Sequence, residues 1–324
     1  MYTAEFVSPM HPDKICDRIS GSILDECLKQ DPNSRVAIET MGGHKKIVVM
    51  GELTTNAKLD IEEIVKNEIN DSSFEVITNI SKQSNEISRG VDIGGAGDQG
   101  IMVGYACKEN ELLIPMEYVL ARSLCEYIYS RYPVDGKTQI TLEGKKIKTI
   151  LVSWSGISKE RIFELIKGWM FRRPQTECTK DREILINPAG DWNQSGFDSD
   201  TGLTGRKIVI DAYGPRIPVG GGAFSGKDPT KVDLSGALMA RKIAVETLKN
   251  TNSYEVLVQV AYAIGKANPI QIDIKVDGQE IEISKELINR FVPNNIMEEL
   301  DLRKPQYKKL SMWGHFGNSN IWDQ

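Results

Sequence analysis

The sequence is poor in the residues that build transition-metal and disulfide sites. Its 324 residues include only three histidines, His11, His44 and His315, so a metal site made of several imidazoles is not expected. Magnesium, which prefers carboxylate and phosphate oxygens, is the metal to look for. The five cysteines contain no CxxC pair; they are Cys16, Cys27, Cys107, Cys125 and Cys178. Neither a disulfide framework nor a zinc knuckle is predicted, and the thiols should be reduced.

Long apolar runs and an excess of basic charge are also missing. No stretch approaches the roughly 20 apolar residues of a spanning helix, and the opening residues MYTAEFVSPM hold no basic segment followed by an apolar one. We therefore expect a cytoplasmic protein without a membrane partner. The formal charge is −5, from 40 Lys and Arg against 45 Asp and Glu. This balance argues against nucleic acid as a partner.

The motifs of several enzyme classes are absent, with one partial exception. No GxSxG elbow, HExxH zinc motif or HRD and DFG kinase elements occur, which disfavours ester hydrolysis, zinc proteolysis and protein-kinase chemistry. Residues 221–227, GGAFSGK, satisfy GxxxxGK. However, Asp228 stands where a P-loop has the Ser or Thr that holds magnesium, and no core strand comes directly before the glycines. A P-loop kinase or ATPase, which would transfer the γ-phosphate, is kept as an alternative.

The hydrophobic periodicity predicts a helix–hairpin–helix unit that recurs three times. Helices are predicted at 12–29, 60–69, 116–132, 159–171, 234–248 and 285–291, and strands at 35–40, 46–53, 138–142, 147–154, 255–264 and 270–276. The recurrence indicates an α+β fold of three similar lobes with pseudo-threefold symmetry. We expect interleaved lobes: 1–12 with 115–231, then 13–114, then 232–324.

Two stretches are too rich in glycine and polar residues for regular structure. Residues 82–100, KQSNEISRGVDIGGAGDQG, resemble a mobile connection that could cover a site. Residues 214–228, GPRIPVGGGAFSGKD, are the second. Ordering so many glycines is entropically costly, and Lys227, Lys231 and Asp233 follow, so backbone amides that approach an anion closely are expected there.

Three further clusters carry charge at turns. His11, Asp13 and Lys14 surround Pro12 at the start of a predicted helix, where free amides favour anions; alternatively, Asp13 only complements the helix dipole and His11 is an exposed loop residue. Arg206 and Lys207 begin KIVIDAY (207–213), predicted as a strand, so the two cations should face opposite ways; a solvated strand end is the alternative. Lys137 follows the turn Asp135-Gly136, which is also typical of an ordinary hairpin approach.

These cations together exceed what one phosphate needs. His11, Lys137, Arg206, Lys207, Lys227 and Lys231 all lie in or near glycine turns. Asp13 and Asp233 are available for magnesium. The set suits a polyphosphate bound with metal.

Four blocks in this order resemble the S-adenosylmethionine synthetase family: HPDK at 11–14, GAGDQG at 95–100, DTGLTGRK at 200–207 and GGGAFSGKDPTKVD at 220–233. Shorter matches, GELTTNA at 51–57, KQS at 82–84, INP at 186–188, YAIG at 262–265 and GHFG at 314–317, extend the resemblance over nearly the whole chain. It implies a three-domain α+β fold and conversion of ATP and L-methionine to S-adenosylmethionine, phosphate and diphosphate. It also implies two Mg²⁺ per site, K⁺ activation, and a homodimer with shared active sites that can pair into a tetramer.

The resemblance implies roles for individual positions. Catalysis falls to His11, Lys137, Arg206 and Lys207. These four bind ATP together with Asp98, Asp135, Trp192, Asp200, Ala223 and Lys227, where Trp192 replaces a Phe that stacks on the base. The methionine pocket comprises Glu52, Gln83, Asp200 and Lys231. Magnesium falls to Asp13 and Asp233, and potassium to Glu39. The loop from Gln83 to about residue 92 resembles a gate that excludes water.

The chemistry implied agrees with the cations present. A thioether sulfur that attacks the ribose 5′ carbon loses no proton, so no general base is required, and the charge of the triphosphate leaving group is what must be stabilised.

The chain departs from the family pattern close to these positions. Pro9 and Met10 replace a Glu-Gly pair before His11, and Asp191 replaces an Arg before the stacking aromatic. The gate connection and the whole chain are short for a bacterial member. A catalytically weak paralogue that binds nucleotide or partners an active subunit is therefore the alternative to an active synthetase.

Overall fold

The structure, a computed structural model, describes residues 1–83, 94–173 and 177–324. In these ranges the strands are β1 (Tyr2–Val7), β2 (Arg35–Gly43), β3 (Lys46–Thr54), β4 (Glu75–Ser81), β5 (Gly100–Cys107), β6 (Gly136–Glu143), β7 (Lys146–Trp154), β8 (Cys178–Ile186), β9 (Gly202–Leu203), β10 (Glu255–Tyr262), β11 (Gln271–Val276) and β12 (Gln279–Glu280). The helices are α1 (Pro12–Gln30), α2 (Ile61–Ile69), α3 (Met116–Tyr129), α4 (Lys159–Phe171), α5 (Ile208–Asp211), α6 (Val232–Asn250), α7 (Lys285–Arg290), α8 (Pro293–Glu299) and α9 (Tyr307–Trp313). Short 3-10 turns cover Gly196–Asp198 and Ile321–Asp323.

The strands form three four-stranded sheets. The first has the order β1-β6-β7-β8, the second β4-β3-β2-β9 and the third β12-β11-β10-β5. In both the first and the second sheet a hairpin (β6–β7, β2–β3) is followed by a helix and then by a strand parallel to the second arm. This mixture of helices and mainly antiparallel sheets confirms the predicted α+β fold.

One long helix covers each sheet. α3 packs on β1 and β6, α1 on β2, and α6 on β5 and β10. The middle of α1 and α6 is buried on nearly every side, because α1 also packs against α9 and α6 against the end of the chain. Within the described ranges, no helix is both long and apolar enough to span a membrane.

The lobe boundaries stay a prediction. The pairing of β5 with β10, in register from Gly100 opposite Tyr262 to Cys107 opposite Glu255, places this strand in the sheet of the third predicted lobe. The predicted boundary at residue 114 assigns the same strand to the second lobe. Sequence periodicity detects strands but carries no information on which distant strand will pair with them.

The prediction of a strand over 207–213 is wrong. Residues 208–211 form the single helical turn α5, closed by the Asp211 N–H, which donates to the Lys207 carbonyl at 2.8 Å. Gly205 and Gly214, both at φ +82°, bend the chain on either side. A run of three apolar residues, 208–210, fits a helical turn as well as a strand, and the burial of Asp211 decides in favour of the turn.

Of the two stretches predicted to be irregular, only the second can be compared with the structure over its whole length. Residues 84–93 of the predicted gate lie outside the described residues. Between α5 and α6 the described chain forms no helix or strand, as expected, apart from one bridge between Lys227 and Ala37 of β2.

Candidate active site

His11 caps the N-terminus of α1. Its Nδ1 accepts a hydrogen bond from the Asp13 N–H at 3.2 Å, which leaves Nε2 as the nitrogen that carries the proton. The side chain is buried. Burial, followed by the charges of Lys207 and Lys137, lowers the pKa of His11 to about 3. His11 is therefore a neutral hydrogen-bond donor, not the exposed loop residue of the alternative interpretation.

Asp13 is the centre of a group of cations. The Lys207 Nζ lies 2.5 Å from its Oδ2, and the Arg206 Nε lies 3.6 Å from its Oδ1, which also accepts from the Leu203 N–H at 3.0 Å. Burial raises the pKa of Asp13, but the Lys207 ammonium and the Leu203 N–H outweigh it and leave the pKa below its usual value. The expectation that Arg206 and Lys207 face opposite ways is wrong, because this segment is not a strand and both cations approach Asp13.

Lys137 and Asp135 lie at the beginning of β6. Lys137 is exposed and stands in register between Val7 and Ser153. Asp135 is buried; its Oδ2 accepts from the Gly196 N–H at 3.1 Å, and its Oδ1 has no hydrogen-bond partner among the described residues. Burial raises the pKa of Asp135 to about 6, against the influence of the Gly196 N–H and Lys137. An unpartnered carboxylate oxygen at this depth suits a ligand that donates a hydrogen bond.

The glycine-rich loop places Lys227 against Asp233. The Lys227 Nζ lies 2.6 Å from the Asp233 Oδ2 in the first turn of α6. Gly222 passes so close that a Cβ there would stand 2.0 Å from the Asp233 Oδ1. The glycine is thus required by the close approach of the loop to this carboxylate.

Asp228 fastens the loop to the second sheet. Its Oδ2 accepts from the Val36 N–H at 2.7 Å and contacts the Lys231 Nζ at 2.5 Å, and its Oδ1 accepts from the Thr230 N–H at 2.9 Å. Asp228 is fully buried and Lys231 nearly so. With both carboxylate oxygens engaged by the protein, Asp228 does not take the magnesium-binding position of a P-loop.

The loop and the Asp13 group meet directly. Ala223 lies against Gly205, where a Cβ would stand 2.5 Å from the Ala223 Cβ. Two ammonium–carboxylate pairs, Lys207 with Asp13 and Lys227 with Asp233, are thereby presented by two segments in contact. Such fixed cations beside carboxylates can bind phosphate groups and a divalent ion together.

Three other expected site residues make fewer contacts. Glu52 is half-buried in β3 and pairs in register with Ala37, which bridges to Lys227. Gln83 is buried, and its Oε1 has no partner among the described residues. Asp200 is exposed, and its charge acts on the pKa of His11.

Three expected residues are not joined to His11 by this single chain. Glu39 and Asp98 are exposed, and Trp192 is half-buried. The Asp98 Oδ1 accepts from the Gln99 N–H, and the Trp192 carbonyl accepts from the Gly156 N–H. Within the part of the chain that the structure describes, no hydrogen bond or ion pair connects these three residues to the His11 group.

The donor set for magnesium is sparse in the protein itself. Across the described ranges, no cluster of three or more His, Cys, Asp or Glu side chains could hold a metal. Magnesium is often held by one or two carboxylates together with phosphate oxygens of the substrate. Asp13 and Asp233 each lie beside a lysine that could bind phosphate, so they fit that mode of magnesium binding.

The departures from the family pattern have partners of their own. The Arg18 guanidinium donates to the Pro9 carbonyl at 2.7 Å and lies 3.5 Å from the Met10 Sδ. The Asp191 Oδ1 accepts from the Asn187 Nδ2 at 3.2 Å. Contacts with Arg18 of α1 therefore fix the segment before His11, at the position where the family's glycine would leave the backbone flexible.

Two carboxylates beneath this centre were not predicted. The fully buried Lys14 Nζ lies 2.6 Å from the Asp211 Oδ1 and 2.9 Å from the Asp17 Oδ2, while the Asp17 Oδ1 accepts from the Gly205 N–H at 2.9 Å. The spacing of Lys14 and Asp17, three residues apart on one helix, was the available signal. Asp211 gave none, because its segment was assigned to a strand.

Comparisons with known proteins agree along the whole chain. Residues 1–92, 93–192 and 195–324 match the N-terminal, central and C-terminal domains of S-adenosylmethionine synthetase, respectively. The S-adenosylmethionine synthase of Petrotoga mobilis is 38% identical to this chain, over 99% of this chain and 94% of that protein. The S-adenosylmethionine synthase of Mesoplasma florum is also 38% identical, over 100% of this chain and 97% of that protein. A solved structure described as an unusual S-adenosylmethionine synthetase from Campylobacter jejuni superposes with a TM-score of 0.87 at 30% identity, over 100% of this chain and 96% of that one.

Proposed function

Since this chain belongs to the S-adenosylmethionine synthetase family, we propose that it makes S-adenosylmethionine from ATP and L-methionine with the residues of the Asp13 group and the glycine-rich loop. The observation that carries the proposal is the contact between two segments that each present a lysine beside a carboxylate, Lys207 with Asp13 and Lys227 with Asp233. A triphosphate needs several fixed cations within one site, and this arrangement supplies them.

The reaction forms one bond and breaks one bond at the ribose 5′ carbon. The methionine sulfur attacks this carbon, and the bond to the triphosphate oxygen breaks with its electron pair remaining on the leaving group. Lys137, Arg206, Lys207 and Lys227 stabilise the charge that develops. His11, neutral and protonated at Nε2, donates a hydrogen bond to an oxygen of the leaving triphosphate. Hydrolysis of the triphosphate to diphosphate and phosphate follows.

The substrate pockets surround this centre. Asp98, Asp135, Trp192, Asp200 and Ala223 complete the ATP site, with the Trp192 indole stacking on the base. Glu52, Gln83, Asp200 and Lys231 form the methionine pocket. Support comes from the buried Gln83 Oε1 and Asp135 Oδ1, which have no hydrogen-bond partner within the described residues and can accept hydrogen bonds from a substrate.

Metal ions are part of the proposal. Asp13 and Asp233 would hold two Mg²⁺, which would neutralise phosphate charge when bound, and Glu39 would be a ligand of K⁺. The support for magnesium is that two carboxylates, which are suitable oxygen ligands, each lie beside a lysine that could bind phosphate.

A homodimer with shared active sites is proposed as the working unit, with pairing into a tetramer as a further step. A row of apolar side chains runs in register across the second sheet from β9 to β4: Leu203, Met41, Val48 and Ile77. Leu203, Met41 and Ile77 are 38%, 51% and 42% exposed. Exposed apolar rows of this kind are typical of contact surfaces. A second copy would also supply the groups that one chain does not bring to His11.

The cysteines support a reducing compartment. All five are free thiols, and four are buried. We therefore place the enzyme in the cytoplasm.

The deciding experiment follows the products by mass spectrometry. Purified protein is incubated with ATP, methionine, Mg²⁺ and K⁺, and S-adenosylmethionine, diphosphate and phosphate are measured. His11→Ala should lose product formation, whereas His44→Ala, at an exposed hairpin turn, should retain it. No product alone but product with an added partner subunit would identify the weak paralogue, and γ-phosphate transfer without S-adenosylmethionine would identify a P-loop enzyme.

A further inference from the structure

The segment Gly314–Gly317, GHFG, is fixed in the interior near the end of the chain. His315 and Phe316 are 1% and 0% exposed. Arg122 donates to the carbonyls of Phe316 and Gly317, both at 2.8 Å, and the Trp322 indole donates to the His315 carbonyl at 2.7 Å. These bonds from two other parts of the chain leave the segment little freedom.

One side of this segment supports the turn that carries Lys207. The His315 N–H donates to the Asp211 carbonyl at 2.9 Å, and the rings of Phe316 and Tyr213 stack with centroids 4.4 Å apart and an interplanar angle of 4°. Asp211 closes α5 onto Lys207. The position of the Lys207 backbone thus depends on residues 315 and 316.

The same two rings support the glycine-rich loop. Phe224, three residues before Lys227, contacts the His315 ring edge-on at 4.9 Å and the Phe316 ring edge-on at 6.0 Å between centroids. Phe224 is the large apolar side chain in residues 220–227, and it is buried. In a loop otherwise rich in glycine, this anchor limits where Lys227 can lie.

We propose that His315 and Phe316 are positioning residues that hold the Lys207 turn and the Lys227 loop at the separation needed for triphosphate binding. The inference rests on the proposed function, in which these two lysines bind the phosphates. Both residues are buried, and they contact the two segments through Phe224, Tyr213 and Asp211. Because aromatic cores are closely packed, removing a ring lets the two segments shift independently, and displacements near 1 Å are enough to lower affinity and rate.

The test measures the affinity for inorganic tripolyphosphate with Mg²⁺ by calorimetry on the full chain. Phe316→Leu keeps an apolar side chain but removes both ring contacts, and we expect its Kd to rise about tenfold or more. Phe291→Leu is the matched control, since Phe291 is equally buried but follows α7, outside both phosphate-binding segments. It should lower the melting temperature comparably and leave Kd unchanged.

A second variant separates positioning from general weakening. Phe224→Leu removes the same contact from the loop side, so the double variant with Phe316→Leu should lose little more affinity than the weaker-binding single variant. Additive losses, an unchanged Kd in Phe316→Leu, or an equal loss in Phe291→Leu would overturn the inference. Should Phe316→Leu not fold, an unchanged Kd in Phe224→Leu overturns it alone. Unchanged affinity in Lys207→Met and Lys227→Met would instead overturn the proposed phosphate site itself.

Discussion

Gly202 lies against Pro12 so closely that a Cβ at Gly202 would stand 2.1 Å from the Pro12 carbonyl oxygen. Residues 190 positions apart thereby meet, and the Leu203 N–H that follows reaches Asp13. Gly202 in DTGLTGRK is required by this contact with HPDK. The contact brings the cations of DTGLTGRK to the carboxylate of Asp13.

Gly202→Ala should therefore disrupt the fold and the site together. The added methyl group meets backbone, which has to move, and we expect a loss of about 3 kcal/mol in the free energy of unfolding. Gly144→Ala is the control: Gly144 has open space around its Cβ position and costs only the left-handed φ of +60°, about 1 kcal/mol. Urea unfolding measures both, and equal losses would contradict the packing argument.

The sequence was sufficient to predict elements whose ends carry local signals. α4 was expected over 159–171 and is found at Lys159–Phe171, since the Ser158 side chain accepts from the Arg161 N–H and fixes the first turn. α2 follows Asp60 for the same reason. In both helices the cap and the apolar face are within one short stretch of sequence.

Contacts over long distances could not be predicted in this way. The pattern KIVID predicts a strand. It gives no sign of the hydrogen bond that Lys14, almost 200 residues earlier, donates to Asp211. Asp228 could be recognised as an exception to the P-loop pattern, but not as the acceptor for Val36. The candidate site was predicted by residue type and resemblance, whereas the contacts between its segments required the fold.

Asp228→Ala should destabilise the protein strongly. The change leaves the buried Lys231 ammonium without its carboxylate and the Val36 and Thr230 N–H groups without an acceptor, and breaking such a buried pair costs about 3–5 kcal/mol. Asp60→Ala, the loss of an exposed helix cap, should cost about 1 kcal/mol. Denaturant unfolding compares the two. Little loss of stability with a raised requirement for Mg²⁺ in Asp228→Ala would favour the P-loop alternative.

Asp135 should make stability depend on pH between about 4 and 6. Its pKa rises from the model-peptide value of 3.8 to about 6 on folding, so in this window the folded state binds more protons than the unfolded state, and its stability falls as pH rises. Asp135→Asn keeps an acceptor for the Gly196 N–H but cannot ionise. Relative to the wild type, the variant should gain about 2–3 kcal/mol of stability from pH 4 to pH 7.

Asp71, a carboxylate whose pKa falls on folding, serves as the control for that measurement. The hydrogen bond from Lys45 lowers the pKa of Asp71, so its contribution to stability is lost as pH falls. That loss sets in only as pH falls below the ordinary carboxyl pKa of 3.8, so across pH 4–7 Asp71→Asn should leave the difference in stability from wild type nearly constant. A change for Asp71→Asn as large as that for Asp135→Asn, in thermal unfolding across pH 4–7, would show that Asp135 is not the group responsible.

His11 variants separate the two halves of the proposed reaction. His11→Asn retains an N-cap acceptor for α1 but removes the Nε2–H donor, so it should fold normally and lower the rate of adenosyl transfer about 100-fold or more. His11→Ala should impair adenosyl transfer similarly and reduce hydrolysis of added tripolyphosphate less, since that step relies on the remaining cations. Lys137→Met should also reduce adenosyl transfer severely. The rates are measured by mass spectrometry of S-adenosylmethionine and by phosphate release. Near-normal adenosyl transfer in the His11 variants and in Lys137→Met would remove the proposed stabilisation of the leaving triphosphate.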